Sequence, residues 1–565
     1  MYADFRVEIP KEKGKITKKT IKGITYIYYQ LERTYDSDKR YTIPVATTIG
    51  KVCTDNPDMM IPNDKYLAYF PDAPLPEEKE CDLRSGCIRI GAFIVIRKII
   101  TEYHLDEILK GILDESGLFL DLAAYAIITE NNAGQYYPDY AYNHPLLTDS
   151  MKIYSDTKVS RFINGIKKEN SIEFLNRWNE GREYKEEIYI SYDSTNKNCQ
   201  AGDVDLAEFG HAKDDKDKPI INYAVGYDSK NKTPLYYEAY PGSIVDVSQL
   251  QYTLEKVKGF GYKKIGFILD RGYFSKENIR SMDRDGYQFI IMMKGMKLLV
   301  REIVLEVKGK FEEDRKYSIR GYKVSGITVP RKLFPADEKN RYFHIFYSES
   351  KRIGEREDLE SKIDELSELL KKKEGEEGYE CPKKICHYFE PIYHVEGKKK
   401  TFTCARERNE VINEDIRLCG YFVIITSKKM TAEAAIKLYK SRDSSEKLFR
   451  GDKSYLGNKS LRVHTTESVN NKIFIEFVAL VIRNKIYTQL KEQMEQDKKR
   501  DNCMSVPAAI RELEKIEMIR QSDGNYCMDH AVTKTQKKIL NAFGLTERDV
   551  RKQAIEINKE IKKNK

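Results

Sequence analysis

The stretch from residue 184 to residue 294 constrains the fold most, because its hydrophobic period is first that of strands and then alternates with that of helices. Three strand segments come first, EEIYISYDSTN, PIINYAVGYD and TPLYYEAYPG. A helix, an apolar strand, a second helix and another apolar strand follow in DVSQLQYTLEKVKGF, KKIGFILD, SKENIRSMDRDG and YQFIIMMK. Continuous apolar strands belong to sheets covered on both faces. The order βββαβαβ therefore predicts an α/β fold with a mixed sheet flanked by helices.

Two of these predicted strands lead directly to a carboxylate. The first ends on Asp193 and the fourth ends on Asp270. Ligands of α/β folds bind at the rim of the sheet where strands end, so both side chains are candidates for one site. For either aspartate taken alone, a turn residue at a strand end is the competing interpretation.

Residues 431–453 predict a helix with a chemically mixed face. Thr431 has the chemistry of an N-cap and Gly451 that of a stop. The helical period places small or apolar side chains on one stripe, formed by Ala434, Leu438, Ser441, Ser445 and Leu448. Beside that stripe, an arc of roughly 60° carries Tyr439, Arg442, Glu446 and Lys453. The cations suit phosphate oxygens, although a surface helix with ordinary charge pairs explains the same pattern.

Asp193, Asp270 and Glu446 together have the chemistry of a metal site. Three carboxylates without histidine or cysteine suit hard cations such as Mg²⁺ or Mn²⁺. Two such ions roughly 4 Å apart can activate water or a 3′-hydroxyl and stabilise the leaving oxygen of a phosphodiester. No protein nucleophile is then required.

The composition restricts the partners and the compartment. A net charge of +9 from 98 basic and 89 acidic residues is mild for 565 residues, so a nucleic-acid surface requires local clustering. The N-terminus lacks the apolar core of a signal peptide, and no run of about 20 apolar residues is present. We therefore expect a cytoplasmic protein with reduced thiols. Cys381, Cys386, His387 and Cys404 lack a repeated CxxC spacing, which argues against zinc.

The N-terminal third offers two candidate DNA-binding regions. Residues 1–72 predict a basic β-hairpin region with a turn at residues 36–38, preceded by a lysine cluster at Lys11, Lys13, Lys15, Lys18, Lys19 and Lys22. This cluster, next to aromatic residues, can track a phosphate backbone or form a solvated tail. Residues 72–86 read as a linker. Residues 87–182 predict a helical domain in which VSRFINGI and SIEFLNRW, the latter capped by Ser171, form either a helix-turn-helix or plain packing.

The remaining sequence predicts an interrupted catalytic core and a helical tail. Residues 183–295 and 420–490 form the core, and residues 296–419 are a β-rich insertion with its own body. Within the insertion, RYFHIFYS predicts a strand, and a charged helix places Leu359, Ile363, Leu366 and Leu370 on one seam. IFIEFVALVIRNKI predicts a core helix. Residues 491–565 predict a C-terminal region of solvated helices.

Three segments resemble the signature regions of DDE transposases of bacterial insertion sequences. They are YISYDSTN, ILDRGYFS and the pattern Tyr439-x2-Arg442-x3-Glu446-x6-Lys453. The last is similar, residue for residue, to the Tyr-Arg-Glu-Lys signature of one large subgroup. Residues 210–246 also resemble the family between its first two acids. The resemblance covers about residues 185–295 and 420–485 well and the N-terminal third loosely.

The resemblance implies a ribonuclease H-like core in which Asp193, Asp270 and Glu446 are catalytic and bind two Mg²⁺ or Mn²⁺ ions. By the same resemblance, Tyr439, Arg442 and Lys453 bind DNA phosphates near the scissile bond. The implied partners are double-stranded DNA, as terminal inverted repeats and target, and further copies of the chain in a dimer or larger synapse. The implied setting is a bacterial cytoplasm, with the protein at the nucleoid when bound.

Two alternatives stay open at this point, a structure-selective nuclease on the same core and a DNA-binding protein whose catalytic centre has decayed. The route of second-strand cleavage is open as well. Some relatives use a DNA hairpin and a tryptophan in the insertion, whereas the single tryptophan here, Trp178, precedes Asp193. A Tyr or Phe of the insertion can supply the same stacking.

Overall fold

The computed structural model describes residues 2–3, 5–36, 40–73, 84–180, 187–199, 204–212, 217–262, 264–294, 296–397, 399–456, 461, 463, 465–496 and 504–563. The chain forms two compact units, Met1–Leu83 and Arg84–Lys565. No described helix combines the length and hydropathy needed to cross a bilayer. The predicted linker at residues 72–86 lies largely outside the described residues, because it includes residues 74–83.

The first unit is an antiparallel five-stranded sheet with one short helix. Its elements are β1 (Val7–Glu8), β2 (Ile16–Ile21), β3 (Ile24–Asp36), β4 (Tyr41–Val52), β5 (Met59–Pro62) and α1 (Tyr66–Tyr69). The sheet order is β1-β5-β4-β3-β2. β3 and β4 confirm the predicted hairpin, while residues 37–39 of its turn lie outside the described residues. One face packs a small core of Val7, Ile9, Ile27, Ile49, Met60 and Tyr66.

The lysine cluster of this unit is not a detached tail. Lys18 and Lys19 lie on β2, the edge strand, and Lys22 lies in the turn that joins β2 to β3. Lysines on an edge strand oppose edge-to-edge pairing with another chain. This is a structural role for the cluster, and DNA contact by the same lysines stays a prediction.

The second unit begins with a helical region that packs onto the rest of the unit. Its elements are β6 (Cys87–Arg89), α2 (Gly91–Glu102), α3 (Leu105–Lys110), α4 (Ser116–Thr129), α5 (Tyr137–Asn143), α6 (Asp156–Gly165) and α7 (Lys168–Glu180). α6 and α7 are the predicted helix pair. Their apolar faces, including Val159, Phe162 and Phe174, join the main hydrophobic core. A helix-turn-helix and plain packing both bury such faces, so DNA contact by this pair stays a prediction.

The start of α7 corrects one prediction. Ser171 does not cap the helix, because its hydroxyl donates to the carbonyl of Lys168 inside the first turn. The side chain of Asn170 instead accepts a hydrogen bond from the backbone N–H of Lys167. Helix α7 therefore begins at Lys168, four residues before Ile172, where a cap at Ser171 would start it.

A nine-stranded mixed sheet forms the centre of the second unit. Its first part has the predicted βββαβαβ order, with β7 (Ile188–Asn198), β8 (Ile220–Asp228), β9 (Thr233–Pro241), α8 (Asp246–Gly259), β10 (Ile265–Leu269), α9 (Lys276–Arg284) and β11 (Gln288–Met292). Four strands from later in the chain complete the sheet, β12 (Ser318–Ile319), β13 (Val324–Arg331), β14 (Arg341–Tyr347) and β17 (Tyr421–Thr426). The sheet order is β12-β13-β14-β17-β11-β10-β7-β8-β9. β10 is parallel to both β7 and β11, and the other pairs are antiparallel. The prediction of a mixed sheet flanked by helices is confirmed.

The predicted insertion is divided between this sheet and a small separate core. Its elements are α10 (Lys297–Val307), β12 (Ser318–Ile319), β13 (Val324–Arg331), β14 (Arg341–Tyr347), α11 (Glu349–Lys371), β15 (Phe389–Glu396), β16 (Lys399–Glu407) and α12 (Asn409–Leu418). β14 pairs with β17 (Tyr421–Thr426), so β12–β14 extend the central sheet. The expectation of an independent β-rich body is therefore wrong for these strands. Only α11, α12 and the β15–β16 hairpin share a core of their own, which includes the predicted leucine seam of α11.

The C-terminal part returns to the core. Its elements are α13 (Ala432–Lys440), α14 (Asp443–Tyr455), α15 (Thr466–Gln496), α16 (Val506–Leu513), β18 (Glu517–Arg520), β19 (Tyr526–Met528), α17 (Lys534–Ala542) and α18 (Glu547–Lys562). α15 is the predicted core helix, buried on nearly all sides over its apolar stretch. The expectation of solvated helices in the tail is wrong. β18 pairs with β6, and α17 and α18 bury apolar side chains such as Leu540 and Ile557.

Candidate active site

The first two acidic candidates lie side by side on parallel strands. Tyr192 of β7 pairs with Leu269 of β10, so the next residues of the two strands are Asp193 and Asp270. β10 ends at Leu269, whereas β7 continues to Asn198 because β8 pairs with it over that length. Asp193 thus lies within its strand, which corrects the prediction that the strand ends there. At this level of the sheet it is the neighbouring strand β10 that ends.

The segment that carries Glu446 is two helices instead of the predicted one. Thr431 caps α13 as predicted, since its hydroxyl accepts from the backbone N–H of Ala434. α13 ends at Lys440 and α14 begins at Asp443, with Arg442 at the N-cap of α14. Gly451 does not stop α14, which continues to Tyr455. A side chain at Gly451 would instead collide with the guanidinium of Arg483.

The buried face of α13 differs from the predicted stripe by about one residue, which is a rotation of roughly 100°. Ala435, Ile436 and Tyr439 are buried, whereas Ala434 is exposed and Leu438 is half-buried. Tyr439 therefore lies inside the packed face instead of beside it. In α14 the predicted face is confirmed, because Ser445 and Leu448 are buried.

Arg442 brings the three acidic candidates together. One of its terminal nitrogens lies 3.5 Å from Asp193 Oδ2. The other lies 3.7 Å from Asp270 Oδ1 and 2.5 Å from Glu446 Oε1. A single guanidinium is small, so the three carboxylates surround one point although they come from three distant segments of the chain.

The surroundings favour the charged form of the arginine and the neutral form of the tyrosine. Burial alone would lower the pKa of Arg442, but Asp270, Asp193, Tyr439 and Glu446 raise it above its usual value. Burial is the largest cause that raises the pKa of Tyr439, so its phenol stays protonated. The Tyr439 hydroxyl donates to Asp270 Oδ1 over 3.4 Å. Tyr439 thus orients one of the three carboxylates.

The donor set fits a hard divalent cation, but its present arrangement is built around Arg442. The carboxylate oxygens of Asp193, Asp270 and Glu446 are the ligand type that Mg²⁺ and Mn²⁺ prefer. Within the described part of the chain, no group of three or more His, Cys, Asp or Glu side chains is arranged to hold a metal ion as it stands. The guanidinium lies where it neutralises the acids that a cation would otherwise neutralise. Lys453 lies two turns beyond Glu446 on α14.

The model of the transposase DDE domain matches residues 190–482, more than half of the chain, and this span contains all six candidate residues. The chain belongs to the DDE transposase family. A comparison with curated protein sequences finds no match.

Two solved transposase structures are similar to this DDE transposase at low identity. A piggyBac transposase synaptic complex with hairpin DNA has 9% identity and a TM-score of 0.36, covering 75% of this chain and 76% of that chain. A Mos1 transposase paired-end complex with the left transposon end has 10% identity and a TM-score of 0.14, covering 40% of this chain and 65% of that chain.

Sequence reasoning missed a buried ion cluster beside the candidate site of this transposase. Lys197 of β7 lies between Asp452 of α14 and Glu476 of α15. Two signals were available in the sequence. Lys197 follows Asp193 by four residues and so shares its side of a strand. Glu476 is a carboxylate within the apolar run IFIEFVALVIRNKI.

Two other predictions concern residues outside this site. Burial raises the pKa of the Cys381 thiol to about 11. The expectation that Cys381 and its neighbours do not bind zinc stays a prediction. Trp178 is buried in the core, where its indole N–H donates to the carbonyl of Pro234. It is therefore not placed to stack on a base, which agrees with its position outside the insertion.

Proposed function

We propose that this chain is the transposase of a bacterial insertion sequence of the Tyr-Arg-Glu-Lys subgroup, with a ribonuclease H-like core that cleaves transposon ends and joins them to target DNA. The observation that carries the proposal is the convergence of Asp193, Asp270 and Glu446 on one guanidinium. Family membership and the in-register placement of the two aspartates support it.

Asp193, Asp270 and Glu446 would hold two Mg²⁺ or Mn²⁺ ions. Such a pair, when bound, activates water or a 3′-hydroxyl and stabilises the leaving oxygen of the phosphodiester. Tyr439 keeps Asp270 oriented through its hydroxyl. Arg442 releases the carboxylates and turns to a phosphate of the transposon end, which a guanidinium binds with two parallel hydrogen bonds. Lys453 binds a further phosphate along α14.

The partners in this proposal are double-stranded DNA and other copies of the chain. Terminal inverted repeats and target DNA are the substrates, and a dimer or larger assembly pairs two transposon ends. Which N-terminal region reads the end sequence is a separate prediction, for which the edge strand β2 with Lys18 and Lys19 is the candidate in the first unit.

The deciding experiment changes each acid to its amide. We expect Asp193→Asn, Asp270→Asn and Glu446→Gln each to abolish Mg²⁺-dependent cleavage of a labelled duplex carrying the inverted repeat, while leaving binding of that duplex nearly unchanged. Glu433→Gln is the matched control, because Glu433 is an exposed carboxylate on the neighbouring helix α13. Near-normal cleavage by any of the three variants would contradict the proposal.

A second assay separates a transposase from a nuclease on the same core. Pre-cut ends with a free 3′-hydroxyl are supplied together with a plasmid target and Mg²⁺. A transposase yields joined products, and these disappear in Asp193→Asn. Cleavage of uncut substrate without joined products would identify a nuclease, and the absence of both with intact DNA binding would identify a decayed catalytic centre.

A further inference from the structure

Three charged side chains form a buried cluster behind the candidate active site. Lys197 Nζ lies 2.5 Å from Asp452 Oδ2 and 3.3 Å from Glu476 Oε2. The Lys197 and Asp452 side chains are fully buried, and that of Glu476 is 3% exposed. The ammonium also lies 4.6 Å from the centre of the Tyr223 ring. The cluster therefore ties strand β7 to helices α14 and α15.

Net stability does not explain such a cluster. The cost of removing charges from water offsets most of their mutual attraction, and replacing buried ion pairs by apolar residues of similar volume is often neutral or stabilising. The best-attested use of buried charges is to fix the register of one element against another. In this cluster, the elements whose relative position can be fixed are β7, α14 and α15.

The alternation of side chains along β7 places the cluster on the same face as Asp193. Successive residues of a strand point to opposite faces, so Ser191, Asp193 and Lys197 share one face. Ser191 Oγ and Ser445 Oγ, both buried, are 2.8 Å apart and form a hydrogen bond between β7 and α14. Lys197 and Asp452 form a second connection between the same two elements. Asp193 lies between the two connections on the strand.

The same two connections bracket the third acid on the helix. Glu446 directly follows Ser445 and precedes Asp452 on α14. The position of Glu446 relative to Asp193 is thus set by one connection on either side. The Ser191–Ser445 pair and the ion pair of Arg442 with Asp193 connect β7 to the N-terminal end of α14. The Lys197–Asp452 connection lies beyond Glu446, towards the C-terminal end of α14. Without it, α14 would lose this second anchor and could pivot about its N-terminal end.

We infer that Lys197, Asp452 and Glu476 are positioning residues that fix α14 on β7 and thereby set the separation of Asp193 and Glu446 for metal binding. This inference rests on the proposed function, because it assigns metal binding to those acids. Residues that orient metal ligands typically change metal affinity by about 10- to 100-fold when substituted. An effect of that size is expected here.

The test replaces the cluster by apolar residues of similar shape, in the variant Lys197→Met/Asp452→Leu/Glu476→Met. We expect a folded protein whose Mn²⁺ affinity, measured by titration calorimetry without DNA, falls about 10- to 100-fold. The Mg²⁺ concentration for half-maximal cleavage should rise by a similar factor, and end binding should change less than twofold. A folded triple variant with Mn²⁺ affinity and Mg²⁺ dependence equal to those of the parent overturns the inference.

Asp452→Asn is the second variant, and it decides the matter if the triple variant does not fold. It keeps the volume of the side chain and weakens only one connection. We therefore expect Mn²⁺ affinity and Mg²⁺ dependence to change in the same direction as in the triple variant, but by a smaller factor. Parent-like Mn²⁺ affinity in this variant overturns the inference. Folding is verified by the emission of Trp178, the only tryptophan, which is buried in the same unit.

A matched control changes a buried hydrogen bond elsewhere in the same unit. His144 and Glu514 are 2.7 Å apart and join the region after α5 to α16. Glu514→Gln should affect unfolding but not the metal dependence. The cleavage assay of Asp193→Asn tests the proposed function independently of the cluster variants. If Asp193→Asn abolishes cleavage while the cluster variants bind Mn²⁺ normally, only the positioning role fails.

Discussion

Replacing Arg442 by methionine tests whether its guanidinium neutralises the acidic site until a metal does so. At an effective dielectric constant of about 20, two unit charges 3.5 Å apart attract by about 5 kcal/mol. Asp193 lies at that distance from Arg442. The carboxylates of Asp193, Asp270 and Glu446 are 16%, 36% and 52% exposed, so water screens much of the attraction. We expect Arg442→Met to lower the free energy of unfolding by about 2 kcal/mol in EDTA, below the typical cost of breaking a fully buried pair.

The decisive feature of this prediction is its dependence on metal. With saturating Mg²⁺, the cation should neutralise the carboxylates in both proteins. The difference in free energy of unfolding between the parent and Arg442→Met should therefore become smaller. Mg²⁺ should therefore raise the unfolding temperature of Arg442→Met more than that of the parent. Thermal unfolding followed by the emission of Trp178 measures both values, because this side chain is buried in the unit that contains the site.

A second arginine provides the control for this experiment. Arg341 is buried and donates a hydrogen bond to Asp283, whereas Arg442 faces the three acids. Arg341→Met should destabilise the protein equally in EDTA and in Mg²⁺. The reasoning is refuted if Arg442→Met behaves in the same way, with a deficit that Mg²⁺ does not reduce, or if it shows no deficit in EDTA.

Three further predictions follow from individual contacts. Lys453→Ala should weaken end binding and reduce the magnitude of the negative slope of log K against log salt by about 0.9, as measured by fluorescence anisotropy, because one phosphate contact is lost. Burial lowers the pKa of His344 to about 4, so between pH 6.5 and 4 only the unfolded state binds this proton. Stability should fall as the pH falls through that window by up to about 3 kcal/mol, and His344→Gln should remove this part of the pH dependence in urea titrations. Gly226→Ala should cost about 1–3 kcal/mol by the same titration, because the added methyl would overlap the Tyr236 ring, while its DNA binding should be unchanged.

The order of elements in the core could be predicted because it is recorded in local periodicity. The strand segments from β7 to β11 and the intervening helices α8 and α9 appear in the structure in the predicted order. The apolar stretch of α15 likewise predicts a buried helix. These features depend on the spacing of residues near one another in the chain, which a sequence displays directly.

Strand partners and helix rotations could not be predicted, because they depend on distant segments. RYFHIFYS predicts a strand, but the sequence does not show that β14 pairs with β17 and so extends the central sheet. Ala434 and Ala435 fit the apolar side of a helix equally well by residue type. The packing of α13 against the sheet selects Ala435 and turns Tyr439 inward towards Asp270.

The same distinction separates the candidate acids of the site from the residues that we infer to position them. Asp193, Asp270 and Glu446 could be identified because a carboxylate after an apolar strand, or on a mixed helix face, differs from its local background. Lys197 and Asp452 are of types usually found at the surface, and only their contact across the fold shows that they are buried. A site can therefore be predicted as a set of side chains while the distances within it stay undetermined. Because metal affinity depends on those distances, substitutions at the buried ion cluster test the structure more stringently than substitutions of the acids themselves.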